Sequence, residues 1–162
     1  MISFLRRPKS TVGLDIGSGF VKAVVVNHAG PEPELSRISY LPLVADAIVE
    51  GEIMDPTLVA DTVRAVLGGL GFPVKQVVTA VGGRDVIVKK IQMDRMREED
   101  AREVIRWEAE QHVPFDMENV QLDFQILDEA GEGAQMAVLL VAAKRELIEN
   151  RLSLLADANL DP

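Results

Sequence analysis

The alternation of apolar and polar positions in the first part of the chain predicts three strands. Val12, Leu14 and Ile16 alternate with small or polar residues, and residues 21–26 form an apolar run rich in β-branched side chains. Turn-forming residues follow, and residues 35–43 then predict a third strand that returns antiparallel to the second.

A helix and a fourth strand are predicted after these three. Asp55 is placed to cap the helix, with Pro56 at its first position. Apolar residues recur at helical spacing and glycines end the pattern: Leu58, Val59, Val63, Val66, Leu67 and Leu70, then Gly68, Gly69 and Gly71. Residues 74–83 predict the fourth strand. A crossover helix before it implies a parallel strand and an α/β layer fold.

The rest of the chain predicts a second group of elements. We expect strands over residues 85–93, 120–127 and 136–143, and helices over residues 97–112 and 144–160. In the first of these helices Trp107 is expected to pack at the edge of the apolar face. The face of the last helix is assigned to Leu147, Ile148, Leu152 and Leu155, and Asn159 fits the residue just after its end.

Composition and charge narrow the function classes. The chain has 162 residues, 48% of them hydrophobic and 27% charged, which is typical of a globular protein. Its net charge of −9 argues against nonspecific nucleic-acid binding, and the absence of cysteine excludes thiol chemistry. The longest apolar run, residues 136–143, is too short to span a bilayer. The basic tail, residues 1–9, is expected to be solvated, or to touch an anionic membrane weakly.

The turn between the first two strands carries the candidate chemistry. It places Asp15, Gly17, Ser18, Gly19 and Lys22 within eight residues. Small residues let backbone N–H groups approach phosphate oxygens, a lysine supplies a point charge, and a carboxylate can hold Mg²⁺ through water. A plain turn in which Asp15 and Ser18 satisfy the backbone and Lys22 is solvated explains the same residues, so the local pattern leaves both interpretations open.

The whole pattern resembles the PilM family of type IV pilus assembly proteins, which is related to the cell-division protein FtsA. The most specific part is "IRWEAEQHVPF", residues 105–115, followed by the acidic and apolar strand expected after it. The resemblance extends from about Thr11 to Pro162. It implies the actin/Hsp70-like, ribonuclease H-like fold, and it favours the phosphate interpretation of the turn.

The resemblance also implies a domain plan and a ligand. Residues 10–83 correspond to the first part of subdomain 1A, residues 84–143 to a small α+β subdomain of the 1C type, and residues 144–162 to a helix that returns to 1A. ATP and Mg²⁺ are the implied cofactors. Asp15 corresponds to the acid on the Mg²⁺ side, Gly17, Ser18 and Gly19 to the backbone cradle, and Lys22 to the cation that faces phosphate. The pattern stops at Pro162, before the second half of the family fold, so we expect no hydrolysis from this chain alone.

The implied function is that of an adaptor. PilM-like proteins bind the cytoplasmic N-terminal segment of PilN in a groove between 1A and 1C, which places them in the cytoplasm at the inner membrane with other pilus assembly proteins. The groove residues expected here are Arg84, Ile87, Lys89 and Ile91. An ATPase that drives assembly, an FtsA-like division filament and the cytoplasmic part of a GspL-type secretion protein remain alternatives. Self-association through an uncovered apolar face is a further expectation.

Overall fold

The computed structural model describes residues 10–128 and 133–161, and the basic tail of residues 1–9 lies outside them. The chain divides into two compact units: unit 1 comprises Met1–Ala80 and Arg151–Pro162, and unit 2 comprises Val81–Asn150. The assignment of these units to subdomains 1A and 1C stays a prediction. None of the helices in the described ranges is long and apolar enough to cross a membrane.

Unit 1 begins with the predicted antiparallel meander. Its strands are β1 (Ser10–Ile16), β2 (Phe20–Asn27) and β3 (Glu34–Pro42), paired in the order β1-β2-β3. Alternate side chains of the first two strands are buried: Val12, Leu14, Ile16, Val21, Ala23 and Val25. The opposite face of the sheet, like most of β3, is exposed or half-buried.

The predicted capped helix is confirmed as α1 (Pro56–Gly68). Asp55 Oδ1 accepts a hydrogen bond from the N–H of Leu58 at 3.0 Å, which satisfies one of the free donors of the first turn. Buried residues on one face, including Val59 and Val63, pack into the core of unit 1.

The predicted fourth strand is only partly formed. Val78 donates to Val12 O at 2.8 Å and accepts from Leu14 N at 2.9 Å, so the segment runs parallel to β1 as expected. Gln76 pairs on the other side with Asp161. Each pairing is an isolated bridge rather than a continuous ladder, because the segment contacts each neighbour over very few residues.

A short hairpin between β3 and α1 has no counterpart in the sequence prediction. It consists of β4 (Ile48–Val49) and β5 (Glu52–Ile53). Its connection uses two residues with positive φ, Glu50 at 50° and Gly51 at 91°, as tight hairpins require. Strands of two residues are too short for an alternating pattern to reveal.

Unit 2 is a three-stranded antiparallel sheet with a helix. The strands are β6 (Val86–Asp94), β7 (Val120–Ile126) and β8 (Gln135–Lys144), in the order β6-β8-β7. The helix α2 (Glu98–Glu110) buries Ala101, Ile105 and Ala109, and a 3₁₀ turn covers Met117–Asn119. The expectation that Trp107 packs is wrong, because 71% of this residue is exposed. It lies outside the face defined by the buried positions.

The last helix, α3 (Arg145–Asp157), is confirmed, but its buried face differs from the prediction. Leu154 and Leu155 are buried, whereas Leu152 is 43% exposed. Asn159 has a φ of 60°, and the bonds Asn159 N to Ala156 O and Leu160 N to Leu155 O, both 2.9 Å, form a Schellman motif. The predicted stop at Asn159 is therefore confirmed.

Candidate functional site

The turn between β1 and β2 is a tight connection at the carboxyl end of β1. Asp15 is paired with Lys22 and Ile16 with Val21 in the strand register. Gly17 N–H donates to the carbonyl of Phe20 at 3.0 Å, and Leu43 N–H donates to the carbonyl of Gly19 at 2.9 Å. Ser18 and Gly19 therefore form the tip.

The glycines of this turn are not required by a left-handed backbone conformation, because neither has a positive φ. The glycines with positive φ in the described ranges are Gly51, Gly71 and Gly83. A Cβ on Gly17 would lie 3.3 Å from the carbonyl oxygen of Phe20, which is crowded, whereas a Cβ on Gly19 would meet nothing within 4 Å. A plain turn explains Gly17 but gives no reason for Gly19. Ligand binding gives a reason for Gly19, because a residue without a side chain lets a ligand approach the backbone closely.

Asp15 and Lys22 form an ion pair across the base of the turn. Lys22 Nζ lies 2.8 Å from Asp15 Oδ2, and their side chains are 55% and 65% exposed. An ion pair this exposed contributes only about 0–1 kcal/mol to stability, because water screens it. The pair can therefore open at little cost, which frees the ammonium for an anionic ligand.

The residues of the turn fit a phosphate with Mg²⁺. Amide groups at the tip and the ammonium of Lys22 are donors for phosphate oxygens. The described ranges contain no cluster of three or more metal-ligating side chains, so Asp15 would supply one carboxylate and water or phosphate the other ligands. Mg²⁺ in nucleotide sites is commonly held in this way.

Two polar residues of unit 1 were not identified from the sequence as candidate site residues. Thr79 Oγ1 and the Nε and Nη1 atoms of Arg151 are buried without a hydrogen-bond partner in the described parts of the chain. Burial lowers the pKa of Arg151, and the negative charge of Asp15 partly offsets this effect. An arginine on the apolar face of the last predicted helix was the available signal. It was missed because that face was assigned to Leu152.

The predicted partner residues lie on or just before β6. Ile87, Lys89 and Ile91 project from one face of the strand, since residues two apart share a face. Ile91 is only 3% exposed and belongs to the core of unit 2, Ile87 packs against that core, and Lys89 is exposed. Arg84 is exposed in the segment before the strand. β6 is an edge strand of its sheet, which leaves backbone groups for a further strand.

Comparisons with known proteins agree with the fold. The sequence profile of the family described as type IV pilus assembly protein PilM matches residues 13–162. The solved structure titled PilM-PilN type IV pilus biogenesis complex matches 97% of this chain at 33% identity and a TM-score of 0.83. This chain spans 46% of that chain, about half its length. The actin-like α/β fold expected from the sequence is confirmed by these matches.

A second solved structure is more distant. The cytoplasmic domain of EpsL, an inner-membrane component of the type II secretion system of Vibrio cholerae, matches 94% of this chain at 10% identity and a TM-score of 0.58, and 55% of that chain is covered. At this identity the match shows a shared fold and carries no argument about function.

Proposed function

Because the chain belongs to the PilM family of type IV pilus assembly proteins, we propose that it is an actin-like, nucleotide-binding adaptor that binds the cytoplasmic N-terminal segment of PilN. The single observation that carries this proposal is the match of nearly the whole chain to a protein solved in complex with PilN. Binding to a membrane protein would bring the adaptor to the cytoplasmic side of the inner membrane, beside other pilus assembly proteins.

The proposed nucleotide site is the β1–β2 turn. Gly17, Ser18 and Gly19 would surround phosphate oxygens with backbone N–H groups, and Lys22 would leave Asp15 to contact phosphate. Asp15 would then be free to hold Mg²⁺ through water, and the ion would neutralise phosphate charge. The open space at Gly19 supports this arrangement. Nucleotide would act by favouring one conformation of the protein.

The proposed partner site is the edge strand β6. An extended peptide can add to a sheet edge through main-chain hydrogen bonds, while its side chains contact alternate residues of the strand. Lys89 and Ile87 lie on the same face of β6. The exposed Lys89 would offer the peptide a charged contact and the half-buried Ile87 an apolar one, while the exposed Arg84 precedes the strand. Ile91 would support the strand from the core.

The other functions weighed from the sequence have less support. The resemblance to a GspL-type protein rests on a fold match at 10% identity, and no observation on the described residues favours an FtsA-like filament.

Calorimetric titration with a synthetic peptide of a PilN cytoplasmic N-terminus tests the adaptor proposal. We expect saturable binding, and we expect Lys89→Glu to weaken it at least tenfold, about 1.4 kcal/mol. Lys90→Glu is the matched control, because it makes the same charge change on the opposite face of the same strand. Ile87→Asp should abolish binding, and circular dichroism of this variant checks that the half-buried aspartate leaves unit 2 folded.

Two results would reject the proposed surface. Equal affinity of the Lys89→Glu and Lys90→Glu variants would show that this face of β6 does not bind the peptide. Absence of binding to the folded wild-type chain, with and without MgATP, would contradict the adaptor role for these residues.

A further inference from the structure

The buried stripe of α3 contains an arginine. Arg151 precedes Leu154 by three residues and Leu155 by four, so the three side chains lie on one face of the helix. Leu154 and Leu155 are 2% and 0% exposed, and Leu147 and Ile148, one turn earlier, are half-buried. A charged side chain inside such a stripe is costly unless it is paired or hydrogen-bonded.

Arg151 lacks such a partner among the described residues. Its Nε and Nη1 atoms are buried and donate to no acceptor. Asp15 is the carboxylate whose charge acts on the guanidinium, yet Asp15 Oδ2 already accepts from Lys22 at 2.8 Å. Two cations therefore share one carboxylate, and the surplus positive charge is partly shielded from water.

Thr79 lies in the segment that pairs with β1. Val78 is hydrogen-bonded to Val12 and Leu14 and pairs with Gly13, so Thr79 follows at the level of Leu14, two residues before β1 ends at Ile16. Val77 is buried in the core on one side of the sheet while Val78 is 62% exposed, so Thr79 points to the core side. Its hydroxyl is buried and without a partner in the part of the chain described here.

The path of α3 brings Arg151 towards the carboxyl end of β1. After α3 the chain runs parallel to the segment of Thr79, because Asp161 accepts from Val77 N at 3.1 Å and donates to Lys75 O at 2.7 Å. The helix before it consequently runs back along the strands, and its earlier residues lie towards their carboxyl ends. In open α/β sheets ligands bind at that edge.

We propose that Arg151 and Thr79 form an anion-binding pocket at the carboxyl end of β1, and that its ligand is a phosphoryl group. A guanidinium can donate two hydrogen bonds to phosphate oxygens, and the threonine hydroxyl can donate a third. A phosphoryl group would satisfy all three orphaned polar atoms and neutralise the surplus charge. The inference rests on the nucleotide site proposed above and adds residues to it that the turn does not contain.

Thermal unfolding of the wild-type chain in sodium tripolyphosphate, ATP, inorganic phosphate or adenosine, at ionic strength matched with NaCl, tests the pocket. We expect tripolyphosphate to raise the Tm by about 2–4 °C or more. A rise with ATP and tripolyphosphate but not with inorganic phosphate assigns the pocket to a polyphosphate chain, and a larger rise with ATP than with tripolyphosphate assigns it to a nucleotide. A comparable rise with inorganic phosphate assigns it to free phosphate.

Arg151→Met should have two effects of opposite sign. In NaCl its Tm should exceed that of the wild type, because the buried unpaired charge is gone. The rise in Tm with tripolyphosphate should disappear, and the affinity should fall at least tenfold. Arg151→Lys should keep a reduced rise, and Thr79→Val should lose part of it. Arg145→Met, an exposed arginine on the same helix, is the control and should behave as the wild type.

The variants distinguish a failure of the proposed Arg151–Thr79 pocket from a failure of the proposed nucleotide site at the turn. If Arg151→Met keeps the full rise while Lys22→Ala loses it, phosphate binds at the turn and Arg151 has a purely structural role. If none of the phosphate ligands stabilises the wild-type chain, the pocket and the nucleotide proposal both fail. If Lys22→Ala keeps the rise and Arg151→Met loses it, the pocket stands and the proposed role of Lys22 fails.

Discussion

Two arginines, Arg151 in unit 1 and Arg95 in unit 2, have opposite surroundings. Arg95 donates to the carbonyls of Asp128, Gly133 and Gln135 at 2.8–2.9 Å and pairs with the carboxylate of Asp128 at 3.2 Å. Arg151 is also shielded from water, but two of its three nitrogens have no partner in the described ranges. Arg95 thus connects Asp128, Gly133 and Gln135, whereas Arg151 keeps donors that a ligand could use.

The same contrast holds for the two units. In the described residues, every buried side-chain polar atom without a partner belongs to Thr79 or Arg151, both in unit 1. Native proteins rarely leave such atoms unpaired, and the exceptions are commonly functional. Unsatisfied buried polar groups are therefore confined to unit 1 within the described residues, which agrees with placing the proposed phosphate site there.

Exposed apolar side chains differ as well. In unit 1 the strand register places Val24 opposite Ile38 and Val26 opposite Leu35, on the face of the sheet away from the core. Ile38 and Leu35 are 58% and 61% exposed. In unit 2 the most exposed apolar residues, Trp107 and Val88, lie on different elements. A contiguous apolar face of this kind is typical of an interaction surface, which keeps the predicted self-association open to test.

The largest expected effect comes from the corrected face of α3. Leu155→Ala should lower the free energy of unfolding by about 2–5 kcal/mol, because it opens a cavity in the core of unit 1. Leu152→Ala, on the same helix but 43% exposed, should change it by less than about 0.5 kcal/mol. Urea unfolding followed by circular dichroism measures both. Similar losses for the two variants would contradict the assigned face.

A smaller effect on the free energy of unfolding is expected at the first residues of α1 and α2. The helix of unit 1 has a side-chain cap, whereas that of unit 2 has none. Asp55→Ala removes the cap of α1 and should cost about 1 kcal/mol. Arg97 begins α2 without a capping bond and instead pairs with Asp100 at 3.0 Å on the surface. Arg97→Ser should therefore gain several tenths of a kcal/mol, up to about 1 kcal/mol. Urea unfolding measures both variants. A lower free energy of unfolding for Arg97→Ser would mean that the ion pair with Asp100 stabilises the helix more than a serine cap does.

The sequence predicted the fold better than the site. Long periodic segments such as α1, α2 and the meander strands were identified because their burial follows a period of two or 3.6 residues. Leu152 was misplaced because it directly follows Arg151 at the edge of the buried face of α3. Trp107 was misplaced because it lies about 200° around α2 from the buried Ile105. The turn residues Asp15 to Lys22 could be read locally.

The pair formed by Thr79 and Arg151 could not be read locally. The two residues are distant in the chain, and the proposed pocket joins them only through the parallel pairings beside β1 and the return of the chain after α3. A pattern read along the sequence carries no information on such long-range proximity. The hairpin of β4 and β5 was missed for the different reason that its strands are too short to show a period.

We propose above that unit 1 binds phosphate at the carboxyl end of β1. Amide NMR of the wild-type chain titrated with MgATP tests it directly, with MgCl₂ alone and adenosine as controls. We expect saturable shifts of the Ser18 and Gly19 amides and of the Arg151 Nε–H, with Lys89 and Trp107 unaffected. Shifts that begin in unit 2, or turn amides that stay unchanged at saturating MgATP, would contradict it.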